Sequence, residues 1–370
     1  DRFVAAEGAP EVVQFSGGEP TIHPDIVRFV EMARERGVRT VMLNTNGIRL
    51  ARDDAFMADI ARVRPHIYLQ FDGLEPATHL ALRGRDLRED KQRALDRCAE
   101  AGVRVTLVAA VERGVNEHEL GAIVRFGVSH PAVNSVMFQP VTHSGRHRQY
   151  DPMQRVTNDE VVRRLAEQLP EWYRPADFVP VPCCFPTCRS MSYGFVDDGE
   201  VVPFTRIVDV DQYLDYVSNR FLPDPKVREA LEQMFSASAV PGVERGLLEC
   251  DACAPAVTSR LSEHLAQHVF VVATQDFQDA YTLNVRQLMK CCVAEIVPDG
   301  RLIPFCAYNS VGYREQVRAQ LSGVPVAAVV PNAITLEPLL LATAHGSRTV
   351  KGEGGAVSRD ARNVGRRLPS

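Results

Sequence analysis

Tryptophan is almost missing from this chain, which has one in 370 residues, and no apolar run is long enough to cross a bilayer. No signal peptide is visible at the start of the sequence. A basic excess is also lacking. The 42 Lys and Arg stand against 47 Asp and Glu, for a net charge of −5. With a pI near 6.1, this argues against a nucleic-acid partner. Nine cysteines are too sparse for a disulfide scaffold in a chain of this length. Eight of them are grouped beyond Val181, and that clustering points to metal or iron–sulfur ligation in a reducing cytoplasm. A hydrophobic content of 45% and a charged content of 24% are those of an ordinary globular protein. The length allows a large core and two domains.

The most informative stretch is Gln14-Phe15-Ser16-Gly17-Gly18-Glu19-Pro20. It ends a short apolar run and precedes an amphipathic helix, which places it in a βα loop at the carboxyl end of a strand. Two glycines leave the backbone bare, so a ligand reaches its amide and carbonyl groups closely. Glu19 offers a negative charge to a cationic group, and Pro20 stiffens the exit. An ordinary tight turn with an acid leading a helix is the alternative.

The first third alternates strand-like and helix-like segments, the pattern of repeated βα units. Strands are expected at Val12–Ser16, Thr40–Leu43, Ile67–Phe71, Val103–Ala109 and Ser135–Gln139. A helix from about Asp25 to Arg36 carries Ile26, Phe29, Val30 and Ala33 on one face, and Gly37 stops it. A second spans roughly Glu89–Ala101, where Cys98 shares an apolar face with Ala94 and Leu95 and reads as a core residue. Asn116 and Glu119 have capping-box spacing before Leu120, Ile123 and Val124, and Thr157 and Glu160 repeat that spacing. Residues 1–150 therefore form one domain. Residues 151–320, rich in loops, proline and cysteine, form a small domain organised around clusters. In 321–370 an Ala/Val/Pro-rich stretch runs into an end expected to be disordered.

The grouped cysteines are Cys183, Cys184, Cys188, Cys250, Cys253, Cys291, Cys292 and Cys306. A cubane iron–sulfur cluster takes four thiolates, so eight could supply two. Cys250-Asp-Ala-Cys253 is a close pair able to grip one cluster edge. Pro298-Asp299-Gly300 is turn chemistry that folds a hairpin and gathers Cys291, Cys292 and Cys306. In each adjacent pair, Cys183/Cys184 and Cys291/Cys292, one member is either a ligand or a buried bystander. A tetrathiolate zinc site is the alternative for the whole set. His264 and His268 lack a third ligand and read as a surface pair.

The glycine loop, the βα alternation and the clustered cysteines together resemble the radical S-adenosylmethionine enzymes. That resemblance implies a partial (β/α)6 TIM-like barrel whose first βα unit is missing here, followed by a cysteine-rich auxiliary-cluster domain, with chemistry at the carboxyl strand ends. The implied cofactors are S-adenosylmethionine and auxiliary 4Fe-4S clusters. Gly17, Gly18, Glu19 and Pro20 are the segment that holds the methionine ammonium. Asn44, Asn46, Gln70 and Asp72, at or just after strand ends, are polar groups for ribose hydroxyls and the carboxylate. Arg83 matches an arginine that approaches that carboxylate, whereas Gln70 replaces a serine common in relatives. The family's C-x3-C-x2-C triplet for the catalytic cluster does not occur in residues 1–370. The expectation is an amino-terminal truncation, and a polypeptide that by itself does not cleave S-adenosylmethionine.

A narrower resemblance rests on Pro182-Cys183-Cys184-Phe185-Pro186-Thr187-Cys188 and on Lys290-Cys291-Cys292 through Pro304-Phe305-Cys306-Ala307-Tyr308-Asn309. These stretches look like the tetraether synthase family, which joins unactivated ends of lipid tails. The resemblance implies a lipid or other hydrocarbon substrate and an external electron donor of ferredoxin or flavodoxin type. It implies cytoplasmic placement, with peripheral association at the membrane, and hydrogen abstraction by a 5′-deoxyadenosyl radical. It needs no acid or base, and none is identified. A peptide- or sulfatase-maturing enzyme and a non-catalytic zinc- or cluster-binding scaffold are the alternatives.

Overall fold

The computed structural model describes residues 1–8, 10–144, 151–181, 184–206 and 268–323. Expectations concerning Cys183, Cys250, Cys253, His264 and the end of the tail lie outside the described residues.

Five parallel strands form where alternation placed them: β1 (Val12–Phe15), β2 (Thr40–Thr45), β3 (His66–Gln70), β4 (Val105–Val111) and β5 (Val133–Pro140). Their near-continuous apolar character is that of strands covered on both faces. The segment 207–267 and the cysteine loops separate them from β9 (Val269–Gln275), which pairs parallel to β5 as a sixth strand. Beyond it, β7 (Arg189–Asp197) runs antiparallel to β9 and carries β6 (Val179–Pro180) and β8 (Glu200–Pro203). A single sheet thus runs through what the sequence divides at residue 150. β9 was not among the expected strands, and β1 stands at an edge of the sheet. The Pro298-Asp299-Gly300 hairpin forms, pairing β10 (Ala294–Ile296) with β11 (Leu302–Pro304).

Two helical details were not foreseen from the sequence. The span between β2 and β3 holds two helices, Ile48–Arg52 and Asp54–Val63, the latter capped when the Asp53 carboxylate accepts from Phe56 N at 2.9 Å. The Asn116/Glu119 capping box is absent: the helix starts at Leu120 with no side-chain cap. Asn116 instead donates to the carbonyls of Asp72 and Ala110, both at 2.7 Å. Glu119 is spent on the loop after β3, accepting from Leu74 N at 2.6 Å, Glu75 N at 2.9 Å and the Thr78 hydroxyl. Glu119 is itself buried, 3% exposed, so its carboxylate is held where several donors satisfy it. The Thr157 cap does form, accepting from Glu160 N at 3.2 Å. No described helix is long and apolar enough to cross a membrane.

The sheet separates two cores by strand alternation. One face packs Val41, Leu43, Ile67, Leu69, Leu107 and Phe138 against the helices. The other gathers Met42, Tyr68, Val108, Met137, Met191 and Val271, with Cys184 buried in it and Cys188 packed against it. On that second face β3 presents His66, Tyr68 and Gln70 in turn. His66, buried and held neutral by desolvation that pulls its pKa down to about 3, hydrogen-bonds Thr106 Oγ1 at 2.7 Å. Polar groups therefore sit at the foot, apolar ones in the middle, and carboxamides at the carboxyl ends.

Candidate functional site

The glycine loop lies at the carboxyl end of β1 and is tied to the end of β2. Glu19 Oε1 accepts from Thr21 N at 3.1 Å, Thr21 Oγ1 at 2.6 Å and Thr45 Oγ1 at 2.7 Å, and its Oε2 accepts from Asn46 N at 2.7 Å. The carboxylate thus fixes the loop against the neighbouring strand end. Asn44 Nδ2 donates to Ser16 Oγ at 3.1 Å, a second tie between the two. Gly17 has φ +131°, a region that L side chains disfavour. Gly17 and Gly18 are exposed, and a Cβ on either would meet no atom within 4 Å. Their backbone faces open space, which suits close approach by a ligand.

Next to it, Asp72 is wholly buried and accepts from Arg83 Nε at 2.6 Å, Arg83 NH2 at 2.7 Å and Ala110 N at 3.1 Å. With the Gln70 carboxamide oxygen turned toward Arg83, that oxygen accepts from both terminal nitrogens at 2.8 and 2.9 Å. Arg83 is therefore oriented at the mouth by Asp72 and Gln70. Gly73 follows this strand end because a Cβ there would sit 2.5 Å from Glu119 Oε1.

Lys91 was invisible to periodicity, since a lysine near a helix start reads as solvated. It is 1% exposed, and its Nζ donates to the Asn46 carbonyl at 2.6 Å. Burial draws its pKa from 10.5 down to about 8, with Asp72 and Glu19 opposing and Arg83 reinforcing the drop. Below pH 8 both folded and unfolded lysines are charged and the burial penalty is in force. Between about 8 and 10.5 the folded lysine has lost its proton and the unfolded one has not, so stability rises with pH. Urea midpoints compared with a Lys91→Met control at pH 7.5 and 9.5 should show that gain in the parent only.

Two carboxamides were also missed. Gln139 Nε2 donates to Tyr68 OH at 3.1 Å, and Gln275 accepts from Arg189. Each stands near the carboxyl end of a mostly apolar strand, a signal that becomes legible only once the facing strands are known.

The cysteines converge. Cys184, Cys188, Cys291, Cys292 and Cys306 line one pocket with Phe277, Phe305 and Gln275. Cys184 Sγ lies 2.9 Å from Cys292 Sγ. Cys306 Sγ accepts from Gln278 N at 3.3 Å, and burial pushes its thiol up to about 12. The Cys188 thiol is drawn below its usual value by a hydrogen bond with Cys184. Asn158 buckles the cysteine loop to β9. Its Nδ2 donates to the carbonyls of Thr187 and Cys188, both at 3.0 Å, and its Oδ1 accepts from Thr274 at 2.7 Å. Arg155 braces the loop after β9 through Asp276 and Asp279, the latter at 3.1 Å. Soft thiolate donors from three chain segments, in an apolar and aromatic setting, fit an iron–sulfur cluster. Cys98 is buried and distinct, a core residue as expected.

Comparison with known proteins follows the same lines. The model of the Radical SAM superfamily matches residues 1–127. The 7,8-dihydro-6-hydroxymethylpterin dimethyltransferase of Methanocaldococcus jannaschii is 30% identical over 352 residues, covering 84% of this chain and 68% of that protein. The GTP 3',8-cyclase of Chlorobaculum tepidum is 29% identical over 161 residues, 43% of this chain and 48% of the cyclase. Among solved structures, a domain of pyruvate-formate lyase-activating enzyme from Bacteroides vulgatus is 16% identical with a TM-score of 0.33, covering 42% of this chain and 93% of that one. The cyclase match is confined to less than half of the chain, whereas the dimethyltransferase match covers most of it. On that relative and the matched model, the chain belongs to the Radical SAM superfamily.

Proposed function

We propose that this protein acts on hydrocarbon chains, forming carbon–carbon bonds between lipid tails with one auxiliary 4Fe-4S cluster held by the described thiols. The observation that carries the reading is the second core. Met42, Met137 and Met191, with Tyr68, Val108 and Val271, make an apolar face on which Cys184 and Cys188 are packed. Methionine is flexible and polarisable, so such a face adapts to an alkyl chain without demanding hydrogen bonds. S-adenosylmethionine would be held by Gly17, Gly18 and the strand ends near Asn44, Asn46 and Arg83, and it supplies the radical chemistry when bound. The chain's own residues position that cofactor, exclude water and keep the thiol site against the same face of the sheet. A low-potential carrier of ferredoxin or flavodoxin type is the proposed electron source. The proposed location is the cytoplasm, at the membrane periphery. Residues 1–370 hold no C-x3-C-x2-C triplet, so this polypeptide alone is expected to leave S-adenosylmethionine intact.

Methyl transfer to a pterin is the second reading. It is favoured by the name of the Methanocaldococcus relative and by the carboxamides of Asn44, Gln70, Gln139 and Gln275, which suit a heterocycle. Anaerobic reconstitution separates the possibilities. Iron and labile sulfide of about four each per described site are expected. Retention of a long-chain lipid in preference to a dihydropterin is expected as well. Zinc without sulfide would remove the auxiliary cluster, and pterin retention without lipid would favour the second reading.

A further inference from the structure

We infer that Arg189 is the built-in counter-charge of the thiol site and sets the potential at which an iron–sulfur cluster held there accepts an electron. The inference rests on the reading that the described cysteines bind such a cluster.

Arg189 follows Cys188 directly and opens β7. Register places it opposite Gln275 of β9, its guanidinium donates to that carboxamide, and Gln275 lines the cysteine pocket. The residue is 6% exposed. Arginine keeps its proton at every accessible pH, so this is a permanent buried cation. Such a charge is retained only where nearby anions offset the cost of stripping its water. Burial works against its charge, and Cys184, Cys292, Tyr68 and Cys188 favour it. Tyr68 and Cys184 belong to the same buried cluster, on the face of the sheet that carries the thiols.

A cluster with four thiolate ligands is anionic, and reduction adds one more negative charge. A fixed cation beside it therefore stabilises the reduced form more than the oxidised form. The step is a simple electron transfer. A one-electron carrier is oxidised, the cluster is reduced, and no bond or proton changes place. Gln275 acts as the positioning residue that holds the guanidinium on the pocket side.

The test is an EPR-monitored redox titration of the anaerobically reconstituted chain, with iron and sulfide counted in each sample. Arg189→Gln should make reduction at least tenfold less favourable, a fall of about 59 mV for one electron. Arg189→Lys, which keeps the charge, should recover most of that loss. A midpoint unchanged in Arg189→Gln with full iron and sulfide overturns the inference and leaves the cluster reading standing. Absence of labile sulfide in the parent protein overturns both. Should Arg189→Gln fail to fold or to retain iron, Gln275→Glu decides, because its carboxylate neutralises the same guanidinium. Its midpoint should also fall, and an unshifted value refutes the role given to Arg189.

Discussion

Asp72→Ala is expected to lower the unfolding free energy by about 3 kcal/mol, read as a drop in the urea midpoint. Its carboxylate is buried and satisfies three donors, two from Arg83 and one from Ala110 N. Alanine leaves the guanidinium with the neutral Gln70 carboxamide in place of a charged partner and orphans a backbone amide between two strand ends. Arg83 keeps a path to water, with a side chain 26% exposed, which holds the loss at the low end for a broken buried pair. A loss of that size is a large part of the 5–15 kcal/mol that holds a typical protein together. Asp72→Asn should cost less, because it still accepts from Ala110 N. Equal midpoints for Asp72→Ala and the parent would show that Arg83 is held by other contacts.

Replacing Cys188 and Cys306 together by alanine is expected to reduce bound iron from about four per chain to near none. The two thiols come from segments more than a hundred residues apart and meet only through the tertiary fold. The Cys188 carbonyl stays bonded to Asn158 and Asp276 N independently of the sulfur, whereas Cys306→Ala removes the acceptor of Gln278 N. Iron analysis with circular dichroism separates ligand loss from unfolding. Undiminished iron in a folded double variant would move the cluster to Cys183, Cys250 and Cys253.

Relatives and geometry bear differently on these expectations. Membership in the superfamily rests on the matched model and on a relative whose alignment spans most of both chains. The choice of hydrocarbon over pterin rests on the apolar second core and is tested by binding. The charge logic of Arg189 is tested by potential, which a purely structural role would leave in place.

The sequence by itself determined the local facts. Period-two and helical alternation placed five parallel strands and the loop Ser16-Gly17-Gly18-Glu19, because each such element is coded by residues adjacent in the chain. It also marked the hairpin at Pro298-Asp299-Gly300 and Cys98 as core. Only the tertiary structure decided that β9 extends the same sheet, since its partner β5 lies more than a hundred residues away. The fold alone decided that Asn116 and Glu119 abandon a capping box for partners around the loop after β3. Lys91, Gln139, Gln275 and Arg189 look like ordinary polar residues in sequence. Their meaning depends on which charges and strand ends surround them after folding, and Coulomb interactions and desolvation act through space, not along the chain.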